Sequence, residues 1–354
     1  MKKTVIAALA ACVLAFLLAG CATNATSSSA GVSSSSASSS GSASASTSAS
    51  STGTESGVDV RVASLKGPTS IGIAQFIDEA TAGKTANKYD FAISGTADEV
   101  LPKLIQGNVD IALIPANAAA TVYAKTNGAI SVIDVNTLGV LYAVSGDSSL
   151  GNIADLAGKT VYMTGKGTTP EYVMSYLLSQ AGITDKVTLE FKSEASEVAA
   201  VLAADANAIG VLPEPYVTSV SMKNDALAPR ISLTEAWDTL QKGASGSQLV
   251  TGVTVVRNEF AKAHPSVVAE FIEAQRKSVD YALADPTAAG ELVVKANIMD
   301  NAKAAATAIP RCNLVCLTGE DMKKALSGYL DVLLKQDPAS VGGALPGDDF
   351  YYKG

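Results

Sequence analysis

From Val58 onward, short apolar runs alternate with stretches in which apolar residues return every third or fourth position. The runs predict strands and the spaced stretches predict amphipathic helices. Residues 58–62 predict a strand, followed by a Gly67-Pro68-Thr69-Ser70 turn and a helix with Ile73, Phe76, Ile77 and Ala80 on one side. A second strand over 89–93 leads to Ser94-Gly95-Thr96. There Thr96 and Glu99 have capping-box spacing and open a helix through Val100, Leu104 and Ile105 that Gly107 stops. Residues 109–114 are a near-continuous apolar run, as in a strand buried on both faces. Pro115-Ala116-Asn117 then turns into a helix ending near Asn127-Gly128.

The same grammar restarts after Leu150. Residues 159–163 predict a strand, residues 165–170 a glycine-rich turn and residues 171–181 a helix closed by Gly182. Further strands are expected over 187–191, 208–212 and 230–233, and the tail is helical over 266–283 and 319–334. Strand, helix, strand in this order implies right-handed crossovers and a largely parallel sheet, an α/β class. The apolar stretches 138–144 and 249–256 lie after the first and second sets. Read as two strands that cross between lobes, they divide the body into a discontinuous first lobe, 58–140 plus 256–354, and a second lobe, 141–255.

The N-terminal residues carry a different pattern. Lys2 and Lys3 precede an apolar run from Val5 to Leu18, then Leu18-Ala19-Gly20-Cys21. The run is too short and wrongly flanked for an ordinary membrane span and reads as an export signal over 1–20. Leu-Ala-Gly-Cys resembles the bacterial lipobox, which implies lipid on Cys21 and a protein anchored to a membrane without spanning it. An ordinary signal peptide with an incidental cysteine is the alternative. The 36 residues from Ala22 to Gly57 include 17 serines and little besides Ala, Thr and Gly, so with Cys21 they form a flexible linker over 21–57. As a coil it would span about 33 Å. A glycosylated stalk fits the same composition.

Lipobox, serine-rich tether, paired lobes and the segment Gly107-Asn108-Val109-Asp110-Ile111-Ala112-Leu113-Ile114-Pro115-Ala116-Asn117 together resemble the substrate-binding lipoproteins of ABC importers. More narrowly, the chain resembles the branch of nitrate, sulfonate and thiamine-precursor binding proteins. The run Asn258-Glu259-Phe260 through His264-Pro265-Ser266-Val267-Val268 is similar to the helix opening the C-terminal part in that branch. The resemblance spans essentially all of 58–354. It implies a type II periplasmic-binding-protein fold with two lobes joined by two crossover strands. It also implies a monomer that captures a small molecule by hinge closure, delivers it to a permease with a cytoplasmic ATPase, needs no cofactor and breaks no bond.

Charge narrows the partners. With 26 Lys and Arg against 34 Asp and Glu the net charge is −8, which argues against nucleic acid. A single histidine, His264, excludes any mechanism built on paired histidines, and it reads as a surface or capping residue. In open parallel sheets ligands bind beyond the carboxyl ends of strands. That rule selects Lys66, Pro68, Thr69 and Ser70; Ser94 and Thr96; Pro115 and Asn117; Lys166, Thr168 and Thr169; and Glu214 and Tyr216. Backbone N–H groups at helix starts suit an anionic or carbonyl-bearing guest, although each hydroxyl also suits a helix cap. At Thr168 the cap is ambiguous, because Glu171 has capping-box spacing while Pro170 favours the first helical position.

Residues 165–169 share part of a phosphate loop but lack the full P-loop spacing, so nucleotide binding is discarded. Glu214, between Pro213 and Pro215, either projects a carboxylate toward an amine or ring nitrogen or is a solvated loop residue. Tyr123, Tyr162, Tyr172, Tyr216 and Trp237 either stack on a planar ligand or pack in the core. Cys312 and Cys316, four apart, form a disulfide or remain two buried thiols, and two thiols without a nearby histidine make a poor zinc site. An enzyme acting on a small ring compound and a sensor or receptor ectodomain stand as alternative functions on the same fold.

Overall fold

The computed structural model describes residues 55–241 and 247–354. The export signal, Cys21 and the linker up to residue 54 lie outside the described residues. The body begins with β1 (Asp59–Leu65), two short helices, α1 (Pro68–Ile71) and α2 (Ala74–Thr81), then β2 (Lys88–Ser94), α3 (Ala97–Ile105), β3 (Ile111–Pro115), α4 (Ala116–Lys125) and β4 (Ile130–Leu138). Next come β5 (Leu141–Ser145), β6 (Thr160–Met163), α5 (Thr169–Gln180), β7 (Thr188–Phe191), α6 (Ala195–Ala204), β8 (Ile209–Pro213), α7 (Tyr216–Lys223), β9 (Ala228–Ser232) and α8 (Leu233–Gln241). The chain closes with β10 (Val250–Arg257), α9 (Asn258–Ala263), α10 (Pro265–Ala284), α11 (Pro286–Lys295), α12 (Ala302–Ala308), β11 (Leu314–Leu317) and α13 (Gly319–Gln336).

Two mixed sheets organise these elements. The first has the order β11-β4-β10-β3-β1-β2 and the second β7-β6-β8-β5-β9. Strands β1, β2 and β3 run parallel, as do β6, β7 and β8, so the predicted parallel crossovers are present in both lobes. Ile111 to Ile114 in β3 are each 0% exposed, as their unbroken apolar run requires.

The connections between the sheets differ from the expected pair of crossing strands. Residues 138–144 are two strands rather than one: β4 belongs to the first sheet, β5 to the second, and the turn falls at Gly139 and Val140. Gly139 is required there by crowding, since a Cβ would collide with Thr234 Oγ1. β10 crosses nothing and pairs along its length with β3 and β4. The second connection leads from β9 into α8, which packs on β5 and β9, and re-enters the first sheet at β10.

The expected capping box at Thr96 is not formed: Thr96 precedes α3 in extended backbone, but its side chain makes no cap bond. The Cys312–Cys316 disulfide is not formed either. Both are free thiols, Cys312 buried behind the 3-10 turn Ile309–Arg311 and Cys316 half-buried on β11. Burial pushes both thiols up, Cys316 to about 12, so both stay protonated and poorly nucleophilic at neutral pH.

A polar thread runs through the first sheet. Asp134, fully buried on β4, stands opposite Thr254 of β10. Its Oδ1 accepts from Thr254 Oγ1 at 3.0 Å and from Gln275 Nε2 of α10 at 2.8 Å, while Oδ2 has no partner. Asn136 Nδ2 donates to the same Thr254 hydroxyl at 3.1 Å, and Thr137 Oγ1 donates to Asn136 Oδ1 at 2.8 Å. Burial lifts the Asp134 carboxyl to about 7 against the smaller opposing effect of its two donors. Among the described residues no helix is long and apolar enough to cross a membrane.

Candidate binding cleft

Strand direction brings the predicted loops together. Leu65 at the end of β1 pairs with Ser94 at the end of β2, and Pro115 at the end of β3 pairs with Gly252 near the start of the antiparallel β10. The carboxyl ends of β1, β2, β3 and β4 therefore share one edge of the first sheet. In the second sheet Leu141 at the start of β5 pairs with Pro213 at the end of β8. The chain thus passes from the carboxyl edge of one sheet, through Gly139 and Val140, directly to the carboxyl edge of the other. The seam between these two edges is the candidate cleft.

On the first-lobe wall Lys66 is exposed, and its N–H donates to Ser94 O at 2.9 Å, tying the first two loops together. Pro68 occupies the first turn of α1. Thr69 and Ser70 are buried with their hydroxyls turned back to their own strand, donating to Leu65 O at 3.0 and 2.6 Å. Ser94 is buried and Thr96 half-buried. Pro115 precedes α4 in extended backbone, which leaves the first N–H groups of that helix without a side-chain cap. Asn117, 1% exposed, lies in its first turn. The floor admits no side chain at Gly252: a Cβ would meet Asn136 Oδ1 at 2.5 Å and Thr69 Cγ2 at 2.7 Å.

On the second-lobe wall Gly165 takes a φ of +79°, and a Cβ there would lie 2.7 Å from both Pro170 Cγ and Thr168 Oγ1. Thr168 Oγ1 donates to Gly165 O at 2.8 Å instead of capping α5, and Glu171 Oε2 accepts from Gly167 N–H. This resolves the ambiguity at Thr168 in favour of a loop-closing role. Lys166 is exposed, its Nζ 5.9 Å from the Phe191 ring centroid. Thr169 begins α5 and is 1% exposed.

The two walls meet at three places. Asn117 Nδ2 donates to Gly167 O at 3.4 Å, and Thr169 Oγ1 donates to Asn117 Oδ1 at 3.3 Å, so the N-termini of α4 and α5 face each other. Gly95 of the first lobe lies against Glu194 of the second. At the third place Glu214 departs from both of its expected roles. Its side chain is 1% exposed and belongs neither to solvent nor to an open ligand face. Oε1 accepts from Arg311 Nε at 2.9 Å, and Oε2 accepts from Thr218 N–H at 3.0 Å and Thr218 Oγ1 at 2.9 Å. Arg311 also donates to the Thr218 hydroxyl. The backbone N–H of Glu214 donates to Val140 O at 3.0 Å, which places this ion pair beside the turn between the sheets.

Arg311 is invisible to sequence reasoning because its segment draws notice only for its cysteines. An arginine following a proline has no local pattern that announces a partner 97 residues away. Tyr216 is half-buried, and burial together with Glu194 and Asp300 raises its hydroxyl. Trp237 is a core residue, 0% exposed, its ring between Tyr176 and Tyr329 at centroid distances of 4.9 and 5.5 Å. Tyr123 packs edge-on against Phe350 and donates to Asp349 at 2.6 Å, away from the cleft. Among the described residues no cluster of His, Cys, Asp and Glu could hold a metal ion.

Two carboxyl edges facing across a short turn, with helix N-termini on both walls, form an architecture that the comparisons with known proteins recognise. Residues 128–289 match the family model described as NMT1/THI5 like. The chain is also similar to an ABC transporter structure from Parabacteroides distasonis, with 24% identity and a TM-score of 0.69 over 84% of this chain and 99% of that one. The aliphatic sulphonate binding protein SsuA from Escherichia coli matches at 13% identity and a TM-score of 0.65, over 84% and 93% of the two chains. The alkanesulfonate-binding protein SsuA from Xanthomonas axonopodis pv. citri, bound to MOPS, matches at 13% and 0.63, over 83% and 96%. No curated protein matches the sequence. The fold is thus the two-lobed periplasmic-binding-protein fold expected from the sequence.

Proposed function

We propose that this chain is the solute-binding component of an ABC importer, held at the outer face of the cell membrane by lipid on Cys21. It closes its two lobes over a small anionic or heteroaromatic solute and presents the closed form to a permease driven by a cytoplasmic ATPase. The observation that carries this reading is the meeting of α4 and α5, one from each lobe, at Asn117 and Thr169. Each helix start offers N–H groups and the positive end of a helix dipole, so an acceptor-rich solute touching both walls favours the closed arrangement. Closure pivots at Gly139 and Val140, and opening the seam at that end requires Arg311 to leave Glu214 and Thr218. The sulfonates named for two similar structures belong to the expected solute class.

Native mass spectrometry of the protein as purified, followed by thermal-shift screening of MOPS, other small anions and heteroaromatic rings, tests the reading. A bound solute mass, or a saturable rise in Tm with one class, is expected. A protein that carries nothing and answers to neither class refutes it. For the anchor, Cys21→Ala should release the protein from membranes, and persistent attachment refutes lipidation.

A further inference from the structure

The three residues Arg311, Cys312 and Asn313 tie the turn between the sheets to the second-lobe wall. Asn313 takes a left-handed φ of +44°, its O accepts from Leu138 N–H at 3.1 Å, and its Nδ2 donates to Gly139 O. Cys312 between them is 0% exposed, so the backbone carrying Arg311 is fixed to the end of β4. From this base Arg311 reaches across the seam to Glu214, which follows β8, and to Thr218 in the first turn of α7. The described contacts across the seam are unequal. Those at Asn117 join neutral groups at 3.3 and 3.4 Å, and Glu194 merely lies beside Gly95. The bond from Arg311 Nε to Glu214 Oε1 is shorter, 2.9 Å, and joins opposite charges. Its two partners are unequal as well. Arg311 is 49% exposed and can pass into water at little cost, whereas Glu214 is 1% exposed and cannot follow. Parting the lobes here leaves a buried carboxylate with the two donors of Thr218 and no countercharge.

We infer that Arg311 and Glu214 form a latch that holds the lobes together in the empty protein, so that the closed arrangement is its resting state and not one that a solute must create. The inference goes beyond the solute-binding reading and rests only on the hinge at Gly139 and Val140. A solute that enters meets walls already set, and its apparent affinity is raised by the fraction of molecules closed beforehand. Entry and exit both wait on Arg311 leaving its partners, so the latch slows exchange in both directions.

The test is a distance measurement by double electron–electron resonance on the full chain, with Cys12 and Cys21 replaced by alanine and spin labels on Asp98→Cys of α3 and Ala200→Cys of α6, exposed positions of opposite lobes. Cys312 and Cys316 are protonated thiols at least half-buried and escape the label. Native mass spectrometry first establishes that the protein is empty. The empty protein with Arg311 and Glu214 intact should give one short distance. Arg311→Gln should add a longer one and raise the ratio of open to closed molecules about tenfold or more. Glu214→Gln removes the same charge pairing and should do likewise; it serves alone if Arg311→Gln fails to fold. The double variant should open no further than either single one. A mainly long distance in the empty protein with the pair intact overturns the latch, and so does an unchanged distribution in the single variants or opening that adds up in the double one. A protein that opens as stated but binds none of the screened solutes refutes the solute-binding reading and leaves the latch standing.

Discussion

Replacing Asp134 by Asn should change how stability depends on pH more than it changes stability itself. In the folded chain the carboxyl titrates at about 7, because burial outweighs the donors Thr254 and Gln275, while the unfolded chain releases the same proton near 3.8. Between those values the folded state holds a proton that the unfolded state has lost, so wild-type stability is fullest below 3.8 and falls as pH rises through 7. The whole gap is worth about 4 kcal/mol, and the part lost between about pH 5 and about pH 8 is about 2–3 kcal/mol. The Asp134→Asn side chain keeps the Oδ1 acceptor for both donors, has nothing to ionise, and exchanges the unpartnered Oδ2 for an unpartnered N–H at about 1–3 kcal/mol. That cost is independent of pH and cancels when one protein is followed across pH. Denaturant unfolding of both proteins at the two pH values gives the assay. The variant should gain about 2–3 kcal/mol relative to wild type on going from about pH 5 to about pH 8. A difference that does not move with pH would show that Asp134 is already ionised in the folded state, and would refute the reasoning.

Three further expectations follow from the same packing. Gly252→Ala pushes a methyl into Asn136 and Thr69 and should cost about 1–3 kcal/mol in denaturant unfolding; a stability equal to wild type would mean that the cleft floor is looser than described. Arg311→Ala leaves Glu214 buried without its countercharge and should cost about 1–3 kcal/mol, less than for a fully enclosed pair because Arg311 is half exposed, whereas Arg311→Ala combined with Glu214→Gln should recover part of it. Cys312 and Cys316 should resist iodoacetamide in the folded protein and label together on unfolding, as read by peptide mass spectrometry; an unlabelled, reducible 312–316 peptide after unfolding would restore the disulfide.

Much of the fold is legible in the alternation of apolar runs and helical stripes, and the places where legibility fails share a cause. The strand β4 is hidden because Asp134, Asn136 and Thr137 interrupt its apolar run. These polar residues are tolerated in the sheet interior only because Thr254 and Gln275, far away in sequence, satisfy most of their hydrogen bonds. β11 spans four residues and packs beside β4, too short to carry a period. The helices α11 and α12 are obscure although Asp285 and Asn301 cap them, because Gly290 and an alanine-rich stripe blur the pattern; Gly290 is demanded by Ala302 O, 2.5 Å from where a Cβ would stand. In the cleft the rule of carboxyl strand ends locates the loops, since it depends on strand direction alone. What each side chain does there depends on the opposite wall. Local spacing suggests caps at Thr96 and Thr168, neither of which forms, and carries no sign of Arg311.

The chain contains a single tryptophan, and the fold places it where the two lobes share a core. Tyr176 on one side of the Trp237 indole belongs to a helix of the second lobe and Tyr329 on the other to the C-terminal helix of the first, while the indole N–H is held by Ser247 O. Under the proposed hinge closure, the emission of this protein would gauge the parting of the lobes at this contact. An indole sealed from water emits toward the blue, and parting α5 from α13 admits solvent to its faces and shifts the band to the red. No dye or engineered label is needed to follow the lobes in real time, because the fold has stationed its only long-wavelength fluorophore on the seam.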